Sequence, residues 1–323
     1  MTTKPVRWGI LGAANFAKQH MAPAIHAAVG AELVAVASSS AEKVEAFQAF
    51  APGVKHHESY DALLADPDID AVYVPLPNHL HVEWAIKALE AGKPVLCEKP
   101  VGMTAQQVDE LIAARDKAGL LAAEAFMIVH HPQWQRAKAL LSVGAVGKLM
   151  HVNAAFSFRN EDLSNIRNQA QFGGGGLRDI GVYTMGSVRY ATGQDPSDMA
   201  YARIKVENGV DIFADVGFDF PDFTYQGFTG IRMANRQEVH FHGDEAVLTL
   251  SCPFNANVFD QAEVKLSYPD GRVKTERFAG VNHYVLQVQN FGDSLRNGTE
   301  YPWSLEQARG TQEMLDRVLA EIA

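Results

Sequence analysis

The feature that most constrains this chain is the regular alternation in its first 125 residues. Short, apolar, largely β-branched runs at Val6 to Leu11, Leu33 to Ala37, Ala71 to Val74, Val95 to Cys97 and Leu121 to Ala123 read as buried strands. Helical patterns lie between them at Phe16 to Val29, Glu42 to Ala51, Val82 to Ala91 and Ala105 to Ala118, the last opened by Thr104 as an N-cap and closed by Gly119. Such alternation demands crossover connections, and hence a doubly wound parallel sheet covered on both faces. After Phe126 the texture changes. A helix over Pro132 to Ser142 precedes strand patterns at Met150 to Phe158, Tyr201 to Val206, Ile212 to Phe218, Glu238 to Phe241, Val247 to Leu250, Ala262 to Tyr268 and Val273 to Phe278. Turn signals such as Glu207-Asn208-Gly209 and Pro269-Asp270-Gly271 suit an antiparallel sheet. Helices are expected over Leu177 to Ala191, Tyr284 to Asn297 and Ser304 to Ile322. The expected fold is α/β: a doubly wound domain over 1–125, and an α+β domain with a large, mainly antiparallel open sheet over 126–323.

Directly after the first strand, Gly12-Ala13-Ala14-Asn15-Phe16-Ala17 occupies the frame of the GxGxxG/A dinucleotide fingerprint, with Ala14 where the second glycine usually stands. Gly12 permits the tight turn, and the helix start beyond it offers amide N–H groups to a pyrophosphate. NAD-selective sites place a carboxylate at the end of the second strand. This chain has Ser38-Ser39-Ser40 there, then Glu42 and Lys43. With nothing to repel a 2'-phosphate and three hydroxyls and an ammonium to bind it, the expected cofactor is NADP. The alternative is that Ser39 or Ser40 only caps the next helix and Lys43 is solvated.

Two further segments carry chemistry. Glu98-Lys99-Pro100 ends a predicted parallel strand, at the edge where open α/β sheets bind ligands, and a lysine closing an apolar run needs a partner or a function. Four glycines, Gly173 to Gly176, give a backbone able to pass close to a ligand, and the helix after them carries Asp179 and Tyr183 at i and i+4. A tyrosine, ordinarily titrating near pH 10, needs a nearby cation to act as a base at neutral pH, and Lys99 is the candidate. The other reading is a buried tyrosine satisfied by Asp179. A net charge of −10 draws the chain to neither nucleic acid nor anionic membrane. Cys97 and Cys252, far apart, build no disulfide framework, and no apolar run is long enough to span a bilayer, so a reducing, cytoplasmic setting is expected. His79-x-His81, His130-His131 and His240-x-His242 lack a third ligand nearby, so no metal is expected.

Taken in order, four motifs resemble the glucose-fructose oxidoreductase/inositol dehydrogenase (Gfo/Idh/MocA) family over essentially the whole chain. They are Gly12-x-Ala14, the Ala71-Val72-Tyr73-Val74-Pro75-Leu76-Pro77-Asn78-His79-Leu80-His81 segment, Glu98-Lys99-Pro100, and Gly174-Gly175-Gly176-Leu177-x-Asp179-Ile180-Gly181-Val182-Tyr183. The resemblance implies an N-terminal Rossmann domain, a C-terminal sheet domain that binds substrate, and homodimers or homotetramers formed through that sheet. Tyr183 in place of the commoner histidine looks like the branch of glucose-fructose oxidoreductase, NADP-dependent D-xylose dehydrogenase, dimeric dihydrodiol dehydrogenase and sugar 3-ketoreductases. In that branch a Ser-x-x-Ala-Glu-Lys segment holds the 2'-phosphate, matching Ser38 to Lys43, and the catalytic lysine and tyrosine fall on Lys99 and Tyr183. The Lys99–Pro100 bond is expected to be cis, as in relatives. Met127-Ile128-Val129-His130-His131-Pro132-Gln133 lacks the arginine of the aldose dehydrogenases and looks closer to the sugar ketoreductases.

The expected activity is hydride transfer between NADP(H) and a sugar hydroxyl or carbonyl, with Lys99, Tyr183 and Asp179 catalytic. The nicotinamide is expected near Pro75, Leu76, Asn78, His81 and Glu98-Lys99, and the substrate near Arg167, Phe158, Asn282 and Tyr284. Rival readings are a trans-dihydrodiol dehydrogenase and a non-catalytic, nucleotide-binding sugar sensor.

Overall fold

Strand β1 (Val6–Leu11) is buried along nearly its whole length, as the apolar run requires, and it seeds a parallel sheet. The computed structural model describes residues 4–322. Beyond β1 the backbone turns at Gly12, makes one π-helical turn at Ala17–Met21 and continues as helix α1 (Ala22–Ala27). There follow β2 (Ala31–Ala37), α2 (Ala41–Gln48), β3 (Lys55–His57), α3 (Tyr60–Leu64), β4 (Ala71–Val74), α4 (His81–Glu90), β5 (Val95–Cys97), α5 (Ala105–Ala118) and β6 (Ala122–Glu124). The six strands pair in parallel in the order β3-β2-β1-β4-β5-β6, the connection from β3 to β4 reversing the winding across β1. The sequence patterns miss β3 and α3. Lys55-His56-His57 forms an edge strand that is only half-buried and needs no apolar run, and the short helix after it is started by Ser59, whose side chain accepts from the Ala62 amide at 3.1 Å.

Helix α6 (Pro132–Ser142) leads into β7 (Leu149–Arg159), and a second π turn, Leu177–Gly181, runs into α7 (Val182–Thr192). The remaining strands are β8 (Asp198–Glu207), β9 (Val210–Asp219), β10 (Thr224–Gly230), β11 (Arg232–Gly243), β12 (Val247–Leu250), β13 (Ala262–Ser267) and β14 (Val273–Phe278). They form one eight-stranded sheet in the order β14-β13-β12-β11-β7-β10-β9-β8. The β8–β9 hairpin turns where expected, with Asn208 at φ 52° and Gly209 at φ 77°. The sheet is mainly antiparallel as expected, with one parallel pair: β10, whose two glycines weaken its strand pattern, pairs in parallel with β7.

The chain ends in α8 (His283–Asn297) and α9 (Leu305–Leu319). Contacts divide it into two units, one of residues 4–102, 106–130 and 282–308, the other of 103–105, 131–281 and 309–322. Packing therefore differs from a single cut near 125, because α8 returns to the first sheet. Its Phe291 ring lies 5.0 Å from Trp8 of β1, and Arg296, its next-to-last residue, donates to the Gly30 carbonyl at 2.9 Å.

The same return seals a buried acid. Glu124, 2% exposed at the end of β6, accepts from the Val101 amide and from Trp303 Nε1, both at 2.9 Å. Removing the carboxylate leaves two buried donors without it, so Glu124→Ala is expected to cost about 2–4 kcal/mol of unfolding free energy, measured by urea denaturation. Glu124→Gln, which keeps one acceptor, should lose less than half of that.

Candidate functional site

In the first unit, the features of a nucleotide cradle gather at the carboxyl ends of β1 and β2. Gly12 sits at φ 104°, a conformation that L side chains avoid, and a Cβ there would stand 2.9 Å from Leu76 Cδ2. Its amide donates to the Ala37 carbonyl at 3.0 Å, which ties the turn to the end of β2. Ala13 and Ala14 are half-buried and Asn15 is exposed at the helix start, where first-turn amides lack intrahelical acceptors. Ser38 is buried, its Oγ accepting from the Ser40 amide at 3.1 Å; Ser40 in turn caps α2 through the Lys43 amide, and the Lys43 side chain is exposed. The capping alternative thus holds for Ser40. Each serine hydroxyl used as an acceptor still has its own proton to donate. The residues fit NADP: a helix start open to a pyrophosphate, and a β2 end that carries hydroxyls and an exposed ammonium with no carboxylate between Ala37 and Ala41.

At the ends of β4 and β5, Glu98 and Lys99 lie half-buried, and the Lys99–Pro100 bond is cis. Tyr73 Oη donates to Glu98 Oε1 at 2.6 Å, and the Lys99 amide donates to Oε2 at 3.2 Å. Burial pushes the Glu98 carboxyl up to about 7, opposed by the charge of Lys99 and by these two bonds. His81 is fully buried, with Nδ1 2.8 Å from the Pro100 carbonyl and Nε2 2.7 Å from that of Leu76, so its ring braces the loop after β4 against the loop after β5. Pro75 and Leu76 are buried beside it, and Asn78 opens a short 3-10 turn. The Cys97 thiol is buried and pushed well up in pKa by that burial, which makes it an unreactive neighbour.

Glu98 gives the fold a pH dependence of definite sign. Its folded value, about 7, lies above the ordinary 4.5, so the folded state holds the proton more tightly than the unfolded chain. Its contribution is fully present below the lower value and is lost as pH rises to the upper one. Wild-type stability should therefore fall relative to Glu98→Gln as pH is raised from about 5 to about 8, followed by urea midpoints. A difference that stays constant with pH would refute this.

In the second unit, Tyr183 is the second residue of α7 and is 5% exposed, its ring 5.9 Å from Phe156 and 5.7 Å from Phe254. Asp179 lies in the π turn that leads into the helix. That wider turn changes the phase expected of an i, i+4 pair in a plain α-helix. Arg167 supplies the link: its Nε donates to Asp179 Oδ2 at 2.5 Å, and its guanidinium stands 5.9 Å from the Phe158 ring. The charge of Asp179, with a smaller contribution from Tyr183, holds the Arg167 guanidinium above its usual value. The glycines make their close approach to the protein's own chain. A Cβ on Gly174 would lie 2.6 Å from the Arg167 carbonyl oxygen, and one on Gly175, at φ 113°, would overlap the carboxylate of Asp211.

The structure thus brings Phe158, Arg167, Asp179 and Tyr183 together in one unit, and Gly12, Ser38, Glu98 and Lys99 belong to the other. Asn282 and Tyr284, grouped by sequence with Arg167, also fall in the first unit. Asn282 caps α8 through the Tyr284 and Val285 amides, and the Tyr284 ring packs on Phe16 at 5.7 Å and His20 at 5.5 Å. Sequence reasoning missed Tyr73 and Asp211 as participants, since each is defined by a partner distant in the chain. Among the described residues no group of three or more His, Cys, Asp or Glu is placed to hold a metal, and no helix is long and apolar enough to cross a membrane.

Residues 6–126 match the model of an oxidoreductase family with an NAD-binding Rossmann fold, GFO/IDH/MocA, and residues 134–249 match the GFO/IDH/MocA C-terminal domain. The dTDP-3,4-didehydro-2,6-dideoxy-α-D-glucose 3-reductase of Actinomadura kijaniata is 33% identical over 315 residues, covering 94% of this chain and 92% of its own. A D-xylose 1-dehydrogenase (NADP+) of Haloferax volcanii is 29% identical over 326 residues, covering 96% and 95%. The solved structure of a 3-ketoreductase from Actinomadura kijaniata, in complex with NADP and TDP-benzene, superposes with a TM-score of 0.91 at 30% identity and covers 98% of both chains. That enzyme has also been solved with one tyrosine replaced by phenylalanine and with one lysine replaced by alanine. The two replaced residues stand as far apart in its sequence as Lys99 and Tyr183 do here.

Proposed function

The chain belongs to the GFO/IDH/MocA oxidoreductase family, and on that basis we propose that it transfers a hydride between NADP(H) and a hydroxyl or carbonyl carbon of a sugar or sugar derivative. The observation that carries the reading is Tyr183, a phenol seated among aromatic rings beside the Arg167–Asp179 pair. Gly12, Ala13, Ala14, Asn15 and Phe16 would hold the pyrophosphate, and Ser38, Ser39, Ser40 and Lys43 the 2'-phosphate. Pro75, Leu76, Asn78, His81, Glu98 and Lys99 would form the nicotinamide edge. When bound, the cofactor supplies the hydride or takes it up.

In the oxidising direction Tyr183 takes the proton of the reacting hydroxyl, and the Lys99 cation stabilises negative charge on the substrate oxygen. Asp179, oriented by Arg167, accepts from a neighbouring hydroxyl, and Phe158 offers an apolar face to the C–H side of the ring. Tyr284 contributes from beside Phe16, with Asn282 setting the start of its helix. The replaced lysine and tyrosine of the Actinomadura enzyme, at matching separation, support Lys99 and Tyr183 as a working pair.

We assign the open sheet to homodimer or homotetramer formation. Support comes from a half-exposed face on which Phe213 and Phe228 lie 6.3 Å apart and Asn153 donates to Gln226 at 3.1 Å. Cys97 and Cys252, both buried free thiols, suit the cytoplasm.

A panel of aldoses, keto-sugars, dTDP-sugars and aromatic diols, assayed with NADP+ and NADPH by nicotinamide absorbance, tests the reading. Turnover of a sugar is expected. Turnover confined to aromatic diols would make the protein a dihydrodiol dehydrogenase, and NADPH binding with no turnover would make it a sensor.

A further inference from the structure

Asp211, in the first turn-facing end of β9, is 2% exposed and takes no part in the proposed chemistry. A buried carboxylate is costly unless donors meet it, so its neighbours define what it is for. Its Oδ2 accepts from the Leu177 amide at 2.7 Å, and Leu177 is the first residue of the π turn that runs into α7. First-turn amides have no acceptor within their own helix, and negative charge is favoured at that end. The carboxylate is therefore a cap delivered from a strand to the helix that bears Asp179 and Tyr183.

The glycine run is shaped to admit it. A Cβ on Gly175 would overlap Oδ1, and one on Gly176 would stand 3.1 Å from Oδ2. The same Gly175 donates its amide to the Arg167 carbonyl at 2.9 Å, and its own carbonyl accepts from the Asp179 amide at 3.2 Å. One backbone unit, pinned against Asp211, thus fastens the loop carrying Arg167 and the turn carrying Asp179, whose side chains meet at 2.5 Å. The charged side chain facing Asp211 is Arg178, which also faces Asp316. Burial pushes the Asp211 carboxyl up to about 7, opposed by the backbone amides and by Arg178.

We infer that Asp211 is a positioning residue: by capping the glycine-led helix it sets where Tyr183 stands relative to the Arg167–Asp179 pair. The functional weight of this inference rests on the proposed role of Tyr183, but its test need not.

The test places 3-fluorotyrosine at position 183 of the full chain and follows its fluorine resonance against pH in wild type, Asp211→Ala and Asp211→Asn, without cofactor or substrate. Partial unfolding lowers the intensity of the native resonance without moving its titration. Asp211→Ala is expected to move the midpoint of the phenol by about one pH unit, because its distance to the ion pair changes. Asp211→Asn, which keeps an oxygen for the Leu177 amide, should restore most of the wild-type midpoint. In parallel, hydrogen exchange of the peptide spanning residues 174–183 should quicken about tenfold in the alanine variant. Should Asp211→Ala not fold, Gly176→Ala gives the same readout, since its methyl would press on Oδ2. An unmoved midpoint in the folded variants overturns the inference. Full turnover by Tyr183→Phe would instead overturn the catalytic reading and leave this result standing.

Discussion

Replacing Tyr183 with phenylalanine is expected to lower kcat by on the order of 10²- to 10⁴-fold, the usual worth of a positioned proton-transfer group. The substitution keeps the ring, and hence its contacts with Phe156 at 5.9 Å and Phe254 at 5.7 Å, and removes only the hydroxyl. Its effect should therefore fall on chemistry more than on stability. The residues proposed to hold NADP lie in the other compact unit, so KM for NADP should be nearly unchanged. Steady-state rates with the best panel substrate, together with fluorescence titration of NADPH, measure both quantities. A variant with full kcat would remove Tyr183 from the proton-transfer role, and one that binds NADPH much more weakly would point to a structural role instead.

Replacing Ser38 with aspartate should turn cofactor preference toward NAD, changing the ratio of kcat/KM for NADP to that for NAD by about 10²-fold or more, because like charges set together cost several kcal/mol. Ser38 directly follows β2 and is buried, with its Oγ receiving the Ser40 amide at 3.1 Å. An aspartate can still accept that bond, so the local turn is expected to survive while a carboxylate replaces the hydroxyl proposed to meet the 2'-phosphate. Such a carboxylate binds a 2'-hydroxyl and repels a 2'-phosphate. Lys43→Ala should act in the same direction but more weakly, since its exposed ammonium is screened by solvent. Rates with both cofactors across the two variants decide the matter, and an unchanged ratio in Ser38→Asp would show that the 2'-phosphate is held elsewhere.

How much of this was legible in the sequence depended on how local each cause is. Strands β1, β2, β4 and β5 announce themselves because both faces of a parallel sheet are buried, and the chain must be apolar along most of each run. At the edge, β3 is free of that demand and left no such signal. Gly12 and Ser38 were readable since each acts through its own turn or its own position at a strand end. From the sequence, Arg167 reads only as a substrate contact. Its pairing with Asp179 arises because the glycine run folds one loop back on the next.

What the sequence by itself determined is the alternating fold and the NADP-type cradle, both encoded in short-range pattern and motif, and it offers Lys99, Asp179 and Tyr183 as candidates for the chemistry. The tertiary structure alone decided which groups face one another. Tyr73 meets Glu98 across neighbouring strands, Trp303 and Val101 meet Glu124 at the end of β6, and α8 returns to pack Phe291 on Trp8. Asp211 likewise reaches from a strand to cap the helix that bears Tyr183. The physical reason is that burial, capping and pairing depend on distance in space, and a residue type shows only what it can bond, not what folding brings within reach.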